Sequence, residues 1–124
     1  MYKAPVGDIV HTIVNVTGMG RDLDEGRFGD FSADLLQAIL EEAGRLAGDE
    51  IEPVAVAAEK NGAKFADGKV TMPAGWKAAW QSFVDGGWNS VSAPEAYGGQ
   101  GLPLTASMAA LEIWNSCSLA FGLC

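Results

Sequence analysis

Val6, Ile9, Val10, Ile13 and Val14 recur at intervals of three and four residues, the spacing of one apolar helix face. Pro5 stands at their head, a residue suited to the first helical position. Gly18, Gly20 and Gly26, set among Arg21, Asp22, Asp24 and Glu25, then predict a polar linker. The clearest periodicity follows. Leu36, Ile39, Ala43, Leu46 and Glu50 form a near-heptad stripe that Leu35, Ala47 and Ile51 widen. Asp30 or Ser32 can cap this helix, and Phe31 is placed to pack back on Leu35. Glu41 and Arg45 are spaced as an i, i+4 ion pair on the other side. Pro53 lacks an amide proton, so a kink or break is expected there, with helix resuming from Val54 to Lys60 and stopping at Asn61-Gly62.

Phe65 to Thr71 reads as extended chain turning at Asp67-Gly68. Pro73 is then expected to open a helix that buries Trp76, Trp80, Phe83 and Val84 and ends at Gly86-Gly87. Trp88 to Pro94 is a connector. Pro103 opens a last helix, predicted to run unbroken to Cys124. Its apolar residues fall on every side: Leu104, Met108 and Leu111 on one, Ala110, Ile113, Trp114, Cys117, Phe121 and Cys124 on another. Such a helix is a buried one. The fold class is therefore all-α, with about four main helices joined by Gly- and Pro-marked loops.

Composition narrows the functional classes. At 124 residues, 48% apolar and 19% charged, the chain is one globular domain with enough length to bury a core. Its net charge of −8, with no basic run interleaved with aromatics, argues against nucleic acid or an anionic membrane surface as partner. No targeting segment and no apolar span of membrane length is visible. Cys117 and Cys124, seven apart on one expected helix, would lie about 10 Å apart, too far for a disulfide. Reduced thiols in a cytoplasmic protein are the expectation. After Lys77 there is no Lys or Arg, and from Ala96 onward Glu112 is the only charge. A segment so poor in solvating charge either forms the core or is covered by something else.

Candidate chemistry is sparse. Glu112, alone in an apolar helix, has the setting of a desolvated general base, yet no acid, His or Lys stands near it in sequence. A carboxylate on a solvent edge, or one bonded to a neighbouring backbone group or arginine, is the favoured reading. His11 is the only histidine, which excludes a His-based triad or a multi-histidine metal site and leaves a surface residue. Gly98-Gly99-Gln100-Gly101 lacks the Lys of a phosphate loop and the strand of a dinucleotide fold, so a tight structural loop is expected. Trp76 and Trp80 read as core; Trp88 and Trp114 are open between core and a ligand wall.

The stretch Ser92-Ala93-Pro94-Glu95-Ala96-Tyr97-Gly98-Gly99-Gln100-Gly101-Leu102-Pro103 resembles the Pro-Glu-x-Tyr-Gly-Gly-x-Gly loop of acyl-CoA dehydrogenases. Gly86-Gly87-Trp88 precedes it and a helix bearing one glutamate, Glu112, follows, as in that family. The opening Tyr2-Lys3-Ala4-Pro5-Val6-x-Asp8 is similar to a subgroup with a short N-terminal extension. The sequence departs from that subgroup at Gly7, where a basic residue is common, and in the glycine-rich run from Gly18 to Gly29.

The resemblance implies an N-terminal helical domain whose parent carries a middle β-domain and a C-terminal helical domain. It implies that the parent removes the α-proton of an acyl-CoA with a glutamate while the β-hydride passes to FAD, electrons then leaving to an electron-transferring flavoprotein. The catalytic base and most flavin contacts belong to the later domains, and Glu112 does not match that base. No bound FAD, no metal and no catalytic residue are expected in the chain itself. What it would supply is helix packing and part of the acyl-pocket wall, for which Ser118, Phe121 and Gly122 are the candidates.

The resulting division is residues 1–30 as an extension with a short helix and glycine-rich linker, and residues 31–124 as the helical domain, cut at 124. Self-association through the charge-poor last helix is expected, giving a homo-oligomer. The alternative reading is a self-contained helical self-association or protein-interaction module without catalysis.

Overall fold

A computed structural model describes residues 1–123. It is helical, with one two-stranded hairpin supplying the strands among the described residues. Helix α1 (Val6–His11) widens into a π turn over Thr12–Val16 and buries Ile13. The expected linker contains a helix of its own, α2 (Met19–Asp24), with Met19 buried. Glycine density lowers helix propensity and hid it. Gly18 takes φ +82°, so the chain turns there before α2 begins.

The long central helix begins as α3 (Ala33–Leu46). Ser32 is the cap, its Oγ accepting the Leu35 amide at 3.1 Å. The buried stripe differs from the expected one. Leu36, Leu40, Ala43, Ala47 and Ile51 are buried, Leu35 and Glu50 are exposed, and Ile39 and Leu46 lie between. Phe31 is buried, so the residue ahead of the cap is a core anchor while Leu35 faces outward. Arg45 pairs with Glu42, and Glu41 instead accepts from Gln37 Nε2 at 2.8 Å.

The helix does not break at Pro53. It changes pitch beforehand, forming a π segment over Ala47–Ile51, and continues as α4 (Glu52–Asn61) with Pro53 in the first turn. The wider π turn just ahead of Pro53 shifts the helical hydrogen-bond register, and the missing amide is absorbed there without a break. Gly62, at φ +62°, ends the helix.

Strands β1 (Lys64–Ala66) and β2 (Lys69–Thr71) pair antiparallel with Phe65 opposite Val70. Asp67 and Gly68 both have positive φ, 51° and 73°, as a two-residue hairpin turn demands. Helix α5 (Trp76–Asp85) starts three residues later than expected, because Pro73 to Gly75 form a turn closed by the Trp76 amide on the Pro73 carbonyl.

Helix α6 (Leu104–Cys117) packs most extensively on α3, through Ala106, Ala109, Ala110, Ile113 and Trp114. Small side chains let the two helix backbones approach closely. Trp114 donates its Nε1–H to the Ala43 carbonyl at 3.3 Å, satisfying the indole inside the core.

The last helix does not run on. Ser118 leaves helical geometry at φ −155°, ψ 102°, so the helix that carries Cys117 ends there, and a short helix α7 (Leu119–Gly122) follows. Cys124 itself lies outside the described residues. Ser118 Oγ accepts the Phe121 amide, capping the new turn. The break lets Phe121 fold back into the core at 2% exposure.

Candidate functional site

Six aromatic rings fill the space between α5, α6 and α7. Phe83 stands edge-on to Trp114 at 4.9 Å and to Phe121 at 5.8 Å. Trp88 meets Trp114 edge-on at 5.2 Å, Trp80 stacks on Phe83 at 5.2 Å, and Trp76 tilts against Phe121 at 5.6 Å. Edge-on and offset contacts are the favoured ones, each adding about 0.5–1.5 kcal/mol beyond area burial. All four tryptophans belong to this cluster, so Trp88 and Trp114 serve packing.

The three expected pocket residues share α7 and its cap but do different things. Ser118 lines a groove of about 580 Å³, with Val56 and Glu59 of α4, Met72, Pro73, Trp76 and Leu119 around it. Phe121 points away from that groove, into the aromatic cluster. Gly122 lies against α6, where any side chain would run into the Asn115 amide. Of the three, Ser118 alone lines the groove, while Phe121 and Gly122 pack inward. Met72, Pro73 and Val56 were missed, since nothing in periodicity brings the hairpin exit to the end of α6.

Glu112 is exposed, on the rim of a second groove of about 790 Å³ between α1 and α6 that Asp8, Ile9 and Met108 also line. That is the solvent-edge carboxylate the sequence suggested. His11 is exposed, with Nδ1 3.0 Å from Asn15 Nδ2. Among the described residues no three His, Cys, Asp or Glu side chains cluster as metal ligands, and no helix is long and apolar enough to cross a membrane.

The glycine loop offers no free amides to a flavin pyrophosphate. Its amides are already engaged: Gly98 donates to Glu95, Gly99 to Pro94, Gln100 to Ser90 and Gly101 to Ala93. A side chain on Gly99 would drive into the Ala93 backbone. The loop is a closed structural plug ahead of α6, and it does not fit a phosphate cradle.

Two ionisable groups sit between the helices near α6. Burial pushes the Cys117 thiol up from its ordinary 9.0, and its Sγ donates to the Ala47 carbonyl at 3.3 Å. Burial likewise raises Tyr2, whose hydroxyl donates to the Ile113 carbonyl at 3.0 Å. Neither has the lowered pKa of an activated nucleophile.

The family described as "Acyl-CoA dehydrogenase, N-terminal domain" matches residues 34–124. Among characterised proteins, the 3-methylmercaptopropionyl-CoA dehydrogenase of Ruegeria pomeroyi is 39% identical over 123 residues, covering 99% of this chain and 21% of its own. The broad-specificity linear acyl-CoA dehydrogenase of Mycobacterium tuberculosis is 30% identical over 105 residues, covering 82% of this chain and 17% of its own. The chain belongs to the acyl-CoA dehydrogenase family, as its N-terminal helical domain. It spans about a fifth of the length of these relatives.

Proposed function

We propose that the chain works as the N-terminal part of an FAD-dependent enzyme that introduces an α,β double bond into an acyl-CoA thioester, and that its own role is to build one wall of the acyl pocket. The observation that carries this is the groove at the Ser118 break, an apolar channel beside a rigid aromatic core in a chain of this family. Met72, Pro73, Trp76 and Leu119 offer an acyl chain a surface without charge, and Glu59 stands at the groove's edge. Ser118 turns the helix so that this surface is left open, while Phe121 anchors the turn. Both named relatives act on acyl-CoA substrates.

Proton abstraction, FAD binding and electron transfer to a flavoprotein belong, in this reading, to parts of the parent outside these residues, and the chain alone is inactive. Residues 1–30 are an extension and residues 31–124 the wall-forming domain. The parent is a cytoplasmic homo-oligomer, and the isolated chain self-associates through exposed Leu104, Met108 and Leu119. The test is the acyl-chain profile of the full-length, FAD-loaded parent carrying Ser118→Phe. A ring at Ser118 fills the groove, so kcat/KM for long chains is expected to fall at least tenfold relative to short ones. An unchanged profile with intact folding would overturn the assignment.

A further inference from the structure

The first four residues form no helix, yet both of their ends are tied down. Tyr2 donates its amide to Glu52 at 2.6 Å and its hydroxyl to the Ile113 carbonyl at 3.0 Å, so one residue bridges the start of α4 and the last turns of α6. The segment lies over Gly44 and Gly48, one helical turn apart. Ala4 Cβ would be 3.0 Å from a side-chain carbon on Gly44, and the Tyr2 carbonyl oxygen 3.2 Å from one on Gly48. Two glycines at that spacing open a channel that any larger pair would fill. At the same joint, Cys117 Sγ donates to the carbonyl of Ala47, the first residue of the π segment. Cys117 and Ser118 both line the groove described above.

We propose that Met1–Ala4 is a strap that clamps the end of α6 onto the π segment, and that its release frees the half-buried Cys117 from the Ala47 carbonyl, raising its exposure, and reshapes the groove at Ser118. The strap acts through the two polar contacts of Tyr2, the Met1 ammonium 3.4 Å from the Glu52 carboxylate, and the channel over Gly44 and Gly48. This holds whether or not the groove takes an acyl chain.

The test uses the full chain with Cys124→Ser, so that Cys117 is the only thiol, and follows iodoacetamide alkylation by intact mass. Tyr2→Ala is expected to speed alkylation about tenfold, equivalent to about 1.4 kcal/mol of opening. Gly48→Val, which obstructs the channel from the other side, is expected to do the same. Tyr2→Phe keeps the ring, loses the Ile113 contact and should give a smaller increase. Lys3→Ala, on the exposed side of the strap, should leave the rate unchanged. Equal rates in all variants would overturn the strap. So would a rise in Lys3→Ala matching that of Tyr2→Ala, since that would report general loosening.

Discussion

The two faces of α6 are equally apolar in sequence and opposite in structure. One carries Ala106, Ala109, Ala110, Ile113 and Trp114, all at 5% exposure or less, pressed on α3 and the aromatic rings. The other carries Leu104 at 65% and Met108 at 54%, with Glu112 beside them on an open groove. The difference lies in what covers each face: α3 and the aromatic rings pack on the first, while Leu104 and Met108 stay largely exposed among the described residues. A helix apolar all round can thus be one face core and one face surface, and periodicity cannot say which.

Substitutions on the two faces should separate them sharply. Trp114→Ala removes two ring contacts and the bond to Ala43, and should cost about 3–5 kcal/mol by denaturant titration. Ala110→Leu forces bulk between α6 and α3 and is expected to cost about 1–3 kcal/mol in the same assay. Ser118→Ala, at the end of the packed face, loses the cap of α7 and about 1 kcal/mol. Met108→Gln, on the open face, should change stability by less than about 0.5 kcal/mol while lowering binding of a hydrophobic dye. A loss near that of Ala110→Leu would mean that the outer face is packed after all.

The smallest expected effect is a pH dependence at the strap. The Tyr2 amide bond holds the Glu52 carboxyl below its ordinary 4.5. A lowered carboxyl contributes stability that is present above the ordinary value and lost as pH falls through the folded one. The thermal midpoints of the native chain and Glu52→Gln should therefore differ near neutrality and converge as the solution is acidified below about 4.5. A gap that widens in acid would reverse the assignment.

Elements fixed by local chemistry were readable from the sequence: the Ser32 cap, the Asp67-Gly68 turn, the Gly86-Gly87 stop and the closed glycine loop. Each needs only a few adjacent residues. The larger misses depend on partners distant in the chain, whereas the late start of α5 and the Arg45–Glu42 pair are local choices between near-equal alternatives. Helix α2 is held by burial of Met19, which overrides its flanking glycines. The π segment keeps Ala47 and Ile51 on one face ahead of Pro53, where an unbroken α-helical pattern suggested a break. The Ser118 turn exists because Phe121 has rings to fold onto and Gly122 has room only against Asn115. A Ser three residues before a buried aromatic was the available signal, and it was masked by the apolar run around it. Family membership was legible from the loop at 92–103. The groove beside Ser118 takes its other wall from the hairpin exit and α4, which no local pattern brings together.

Hydrogen exchange of the full-length parent, with and without a saturated acyl-CoA, tests the wall assignment most directly. Binding is predicted to slow exchange at Ser118–Gly122 and Met72–Trp76 together, leaving the 92–103 loop unchanged. Slowing confined to residues beyond 124, with both segments unaffected, would contradict the proposal that this domain lines the acyl pocket.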